Sequence, residues 1–105
     1  MMEKIRFDEL IQSEIPVLID FYAEWCGPCM TFLPILQELK QEFGDQIKII
    51  KIDVDKHLEL VQKMQIMGVP TLMIYQKGQL IWGAPGVPTK IFLQEKLRPL
   101  LPTTA

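Results

Sequence analysis

Cysteine is nearly absent from this chain: 105 residues contain two, Cys26 and Cys29. That is too few for a disulfide-stapled scaffold, and a chain of this length buries enough core to fold without one. Histidine occurs once, at His57. Zinc needs about four ligands, and His57 is the only soft candidate beyond the cysteine pair, so no metal or other cofactor is expected. Positive charge is not in excess either, with 11 Lys and Arg against 13 Asp and Glu and a net charge of −2. The few lysines are scattered, so no basic face suggests nucleic acid. No stretch approaches the ~18 uncharged apolar residues of a membrane span. The first ten residues, MMEKIRFDEL, carry acids early and have no apolar run, so a secretory signal is not expected. Repeats, linkers and low-complexity segments are lacking. These absences leave a soluble chain of one domain, 1–105, expected in the cytoplasm. Its composition is ordinary for a globular fold, 49% hydrophobic and 23% charged.

The apolar pattern along the chain gives an alternating order. Phe7, Leu10 and Ile11 have helical spacing within 7–14, and a short leading strand around Lys4 to Phe7 is an option. PVLIDFYA, 16–23, is nearly all apolar and rich in β-branched and aromatic residues, which suits a central strand covered on both faces. Asp20 is the anomaly inside it. From Gly27 to Phe43 the period turns helical, with Phe32, Ile35, Leu36, Leu39 and Phe43 on one side and Gly44 as the stop. Pro34 inside that helix denies the Met30 carbonyl its donor, so a kink is expected. A second buried strand is expected at 47–55, and a short helix at 56–65 capped by Asp55. The stretch 71–83 reads as a hairpin turning at Lys77-Gly78. A last helix begins at Thr89, takes its apolar face from Ile91, Phe92, Leu93, Leu97, Leu100 and Leu101, and ends at Pro99 and Pro102. The order αβαβαββα implies an α/β fold with parallel strands and a terminal antiparallel pair.

The two cysteines stand at i and i+3 where the central strand hands over to the long helix. Helical i,i+3 positions share a face at a separation that suits a disulfide. Cys26 falls at the helix start, where unpaired N–H groups and the helix dipole favour an anion and hence the thiolate. Cys29 lies one turn deeper. One sulfur is therefore placed to attack and the other to resolve. Gly27 and Pro28 keep the loop tight, and proline in the first turn costs the helix nothing. An ordinary buried pair and half a zinc site remain the competing readings of the spacing alone.

DFYAEWCGPC, followed by Pro34, closely resembles the signature of the thioredoxin family. KIDVD at 51–55, GVPT at 68–71 and Gly86 match further landmarks in order, and together they cover nearly the whole chain. The resemblance implies the thioredoxin fold, a central mixed sheet of four to five strands with helices on both faces. It also implies reduction of protein disulfides by dithiol–disulfide exchange. Asp20 then corresponds to the family's buried aspartate, a carboxyl of raised pKa that exchanges a proton with Cys29, and Lys51 to the lysine beside it, so that Cys26, Cys29, Asp20 and Lys51 make the catalytic set. Trp25, Gly27, Pro28, Val69, Pro70 and Gly86 would form the docking patch. Pro70 is cis in the family, which frees the Val69 backbone to pair with an extended substrate.

The implied partners are disulfide-containing target proteins and a thioredoxin reductase drawing on NADPH, with no nucleic acid, no membrane and a monomeric chain. Three features depart from the family pattern: Met30 where lysine is common, Pro85 before Gly86, and a short N-terminus. A disulfide oxidase or isomerase on the same fold is one rival, disfavoured by Gly-Pro between the cysteines. A non-catalytic client-binding module is the other. His57 reads as solvated or capping, Met64, Met67 and Met73 as packing, and Trp82 has no assigned role.

Overall fold

A computed structural model of the chain describes residues 6–102. Helix α1 (Phe7–Leu10) precedes strand β1 (Val17–Tyr22), helix α2 (Gly27–Phe43) and strand β2 (Lys48–Asp53). Helix α3 (Leu58–Lys63), strands β3 (Thr71–Gln76) and β4 (Gln79–Pro85) and helix α4 (Lys90–Leu97) complete the order. Short 3-10 turns follow α2, β2 and α4. The four strands form one sheet in the order β2-β1-β3-β4. β1 runs parallel to β2 and antiparallel to β3, and β3 pairs antiparallel with β4.

The sheet is covered on both faces, and the period-two alternation of β1 divides its side chains between them. Leu18 joins Phe32, Leu36, Leu39 and Phe43 of α2 and Leu93 and Leu97 of α4 in one core. Val17, Ile19 and Phe21 join Phe7 and Ile11 in the other, with Leu60 and Met64 of the α3 segment packed against them. Every residue from Val17 to Phe21 is fully buried, which is why β1 reads as a nearly continuous apolar run broken only by Asp20. The hairpin turns where expected. Lys77 and Gly78 both have positive φ, +53° and +82°, the backbone that matches strand twist in a two-residue loop. Thr89 caps α4, its hydroxyl accepting the Phe92 N–H at 3.1 Å.

Several expectations need correction. β2 is an edge strand among the described residues: Lys48 and Lys51 are exposed, Ile49 and Ile50 half-buried, and only Ile52 and Asp53 are buried. Lys48 and Lys51, three residues apart, point to opposite faces of the strand, and both reach solvent there. α3 starts at Leu58, with His57 at its cap position making no side-chain bond, so Asp55 is not its cap. Asp53 accepts the Asp55 N–H instead and starts the 3-10 turn Val54–Lys56. Ile91 is 67% exposed, because α4 turns only Leu93 and Leu97 fully inward. Of the possible leading strand, Lys4 and Ile5 lie outside the described residues, Arg6 precedes α1, and Phe7 opens that helix.

Candidate active site

Cys26 occupies the N-cap position of α2 with extended backbone, φ −89° and ψ 108°. Its Sγ accepts the Cys29 backbone N–H at 3.2 Å, one of the donors that a helix start leaves without an intrahelical partner. Pro28 stands in the first turn, where no donor is lost. The sulfurs of Cys26 and Cys29 are bonded to each other across a Cα separation of 5.3 Å. Cys26 is 5% exposed and Cys29 is 1% exposed. The difference is small, so the asymmetry of the pair lies mainly in helix position.

Long-range contacts bring further residues to the pair. Cys26 Sγ lies 3.7 Å from the carbonyl oxygen of Val69. The Val69–Pro70 peptide bond is cis, and the Pro70 carbonyl accepts the Gly86 N–H at 2.8 Å. Gly86 has φ +97°, a conformation that side chains disfavour. The loop before β3 and the end of β4 thus meet beside Cys26. Gly27 and Pro28 are exposed at the same end of α2. Trp25 is 71% exposed, and its indole N–H donates to Asp55 Oδ2 at 2.8 Å.

Asp20 lies two residues before Tyr22 on the α2 side of β1. It is fully buried, and neither carboxylate oxygen has a hydrogen-bond partner. Burial pushes its pKa up to about 6, opposed by the positive charge of Lys51, its register partner across the β1–β2 pair. A carboxyl of that strength changes protonation near neutral pH, as a proton carrier must. Lys51 Nζ itself sits 4.5 Å from the centre of the Tyr22 ring. Tyr22 packs against the Ala23, Cys26 and Cys29 cluster. The sequence singled out neither Tyr22 nor Asp55 for this site: the aromatic looked like strand core and the aspartate like a helix cap, and nothing in local spacing marks their true partners. No His, Cys, Asp and Glu cluster suited to a metal occurs among the described residues, and no described helix is long and apolar enough to cross a membrane.

A strand-to-helix disulfide beside a cis-proline loop, following a strand that buries a carboxyl, agrees with the comparison to known proteins. The thioredoxin family model matches residues 1–98. The chain belongs to the thioredoxin family. It is 47% identical over 83 residues to thioredoxin from Bacillus subtilis, covering 79% of this chain and 80% of that one. It is 49% identical over 74 residues to chloroplastic thioredoxin Y of Oryza sativa, covering 70% of this chain but 44% of the longer plant protein. A mutant thioredoxin from Halobacterium salinarum superposes with a TM-score of 0.82 at 27% identity, over 100% of this chain and 91% of that one. Thioredoxin-family membership and the Cys26–Cys29 pair together make the chain a thiol–disulfide oxidoreductase of the protein-disulfide reductase kind.

Proposed function

We propose that Cys26 is the attacking sulfur and Cys29 the resolving one. The observation that carries this is the N-cap position of Cys26, with the Cys29 N–H directed at its sulfur. In the reduced protein the Cys26 thiolate attacks one sulfur of a target disulfide and the other leaves as a thiolate. A mixed disulfide now joins Cys26 to the target. Cys29 gives its proton to Asp20 through an intervening water and attacks Cys26. The target leaves with both sulfurs reduced, and the two electrons it gained are matched by the new Cys26–Cys29 disulfide. The positive charge of Lys51, on the neighbouring strand, opposes burial and keeps Asp20 more acidic than burial alone would leave it.

Trp25, Gly27, Pro28, Val69, Pro70 and Gly86 form the surface on which the target docks, with the Val69 backbone pairing to an extended segment. Targets are disulfide-containing proteins, and the oxidised pair is returned to dithiol by a thioredoxin reductase. In support, a Mycobacterium leprae protein 35% identical over 96 residues, of which the match covers 21%, is named a bifunctional thioredoxin reductase/thioredoxin. A yeast structure with TM-score 0.80 and 28% identity is titled for resolution of a mitochondrial 1-Cys peroxiredoxin through the glutathione and thioredoxin systems. The whole chain acts as one domain and as a monomer, in the cytoplasm, where a reducing pool keeps the pair in use.

The test is reduction of a protein disulfide by the wild type and two single variants. Cys29→Ser should stall as a mixed disulfide on Cys26, and Cys26→Ser should form none. A stable adduct on Cys29 instead would reverse the assignment. Full function in a double serine variant would favour the client-binding module.

A further inference from the structure

Lys51 is exposed and carries its charge on a flexible four-carbon stem. Left to itself, the ammonium group would spend its time in water, where its pull on a buried carboxylate is weakened. It is instead found 4.5 Å from the centre of the Tyr22 ring. That ring is half-buried against the cysteine cluster, so it is a fixed surface. Its electron-rich face attracts a cation. Tyr22 and Asp20 point to the same side of β1, and Lys51 is the residue opposite Asp20 in the parallel register. Three side chains from two strands therefore form one unit: a buried carboxyl, a mobile cation and an aromatic seat for the cation.

We propose that Tyr22 is a positioning residue for Lys51, its ring holding the ammonium group beside the buried Asp20 carboxyl and so setting how readily Asp20 exchanges the Cys29 proton. The functional half of this rests on Asp20 as the proton acceptor of Cys29. The other neighbours do not offer a competing charge for Asp20. From β3 its register partner is the uncharged Leu72. The buried face of α2 is Cys29, Phe32, Leu36, Leu39 and Phe43, none of which titrates while the disulfide is intact. Tyr22 is itself faced by Asp53, Lys56, Glu24 and Asp20. Those groups surround the ring, but Lys51 is the charge that opposes the burial of Asp20.

The test follows the Asp20 carboxyl carbon by NMR from pH 4 to 9, in oxidised protein labelled at aspartate. Tyr22→Leu should raise the Asp20 midpoint by about half a unit, the scale of an exposed cation–ring contact. Tyr22→Phe, which keeps the ring, should restore the wild-type midpoint. Lys51→Met should also raise it, and adding Tyr22→Leu to Lys51→Met should raise it no further. Looser packing alone would admit water and lower the midpoint, so the sign separates the two roles. If Tyr22→Leu does not fold, pentafluorophenylalanine at position 22 keeps the shape and inverts the charge of the ring face, and the same rise is expected. A fall or no change on loss of the ring face, with Lys51→Met still raising the midpoint, overturns the role of Tyr22. No change in Lys51→Met overturns the coupling of Lys51 to Asp20 as well. The underlying reading is judged separately, by the rate of mixed-disulfide resolution in Asp20→Asn: an unchanged rate removes Asp20 from the proton path whatever the titration shows.

Discussion

The indole N–H of Trp25 donates to a carboxylate oxygen of Asp55 at 2.8 Å across 30 positions of sequence. Trp25 is otherwise 71% exposed, so this bond fixes the orientation of an aromatic plate next to Cys26. Asp55→Ala should free the indole. A net hydrogen bond of about 1 kcal/mol corresponds to roughly a fivefold effect. The expected result is a several-fold fall in kcat/KM for protein-disulfide reduction, with little change in the urea midpoint. Indole fluorescence and its quenching by iodide report the release of the ring. An unchanged kcat/KM with a freed indole would remove Trp25 orientation from target docking.

Asp20 makes stability depend on pH. Its folded pKa of about 6 lies above the ordinary 3.8, so the folded state holds the proton more tightly than the unfolded one. Between those values the folded state binds more protons, and stability falls as pH rises, levelling off above about 6. The shift corresponds to a loss of about 3 kcal/mol across the window. Asp20→Asn should flatten this dependence. At pH 8 it should be more stable than the wild type by up to that amount, less whatever the buried amide costs in unmade hydrogen bonds. Urea unfolding of both proteins at pH 4 and pH 8 checks it, and parallel curves would refute it. Resolution of the mixed disulfide should slow in the same variant.

Cys26 should be the first thiol alkylated in the reduced protein at neutral pH. Both sulfurs are largely covered, so the preference comes from the helix start, which favours the anion on Cys26. Mass mapping after a brief exposure to iodoacetamide decides it. Modification of Cys29 ahead of Cys26 would count against the helix start as the source of activation.

Met30 follows Cys29 and packs half-buried against the cysteine cluster. A lysine there would add a charge at roughly 7 Å from the Cys26 sulfur, worth roughly 0.6 kcal/mol in near-bulk dielectric. The helix start offers about 0.3–1 kcal/mol, and up to about 2 when partly buried. Met30→Lys should therefore lower the Cys26 pKa by less than half a unit, while speeding association with an acidic partner in a salt-dependent way. Thiolate absorbance against pH, with stopped-flow reduction at low and high salt, measures both effects. A drop of more than one unit, or a rate gain indifferent to salt, would contradict this division.

Elements with a local cause are legible in the sequence. The apolar run of β1, interrupted only by Asp20, signals burial on both faces, and Lys77-Gly78 supplies the positive φ pair that the hairpin needs. Thr89 caps the helix that follows it. An element's place in the sheet is not written in its own segment. KIIKID has the isoleucine content of a core strand, yet β2 lies at an edge of the described sheet with Lys48 and Lys51 exposed and Ile49 and Ile50 only half-buried. Ile91 has the spacing of an inward residue, yet only Leu93 and Leu97 of α4 are fully covered.

The sequence by itself determined the cysteine spacing, its place at a strand-to-helix junction, the order of elements and the presence of one acid in a buried strand. Each of these depends on interactions within a turn, a hairpin or a single period of side chains. Tertiary structure alone decided which partners those residues meet. Val69 comes to Cys26 across 43 positions and Asp55 to Trp25 across 30, and Lys51 comes to Tyr22 and Asp20 through the β1–β2 register. Such contacts arise because the two apolar faces of the sheet must be covered at once. That requirement fixes the strand register and the helix positions together, and no local segment carries it.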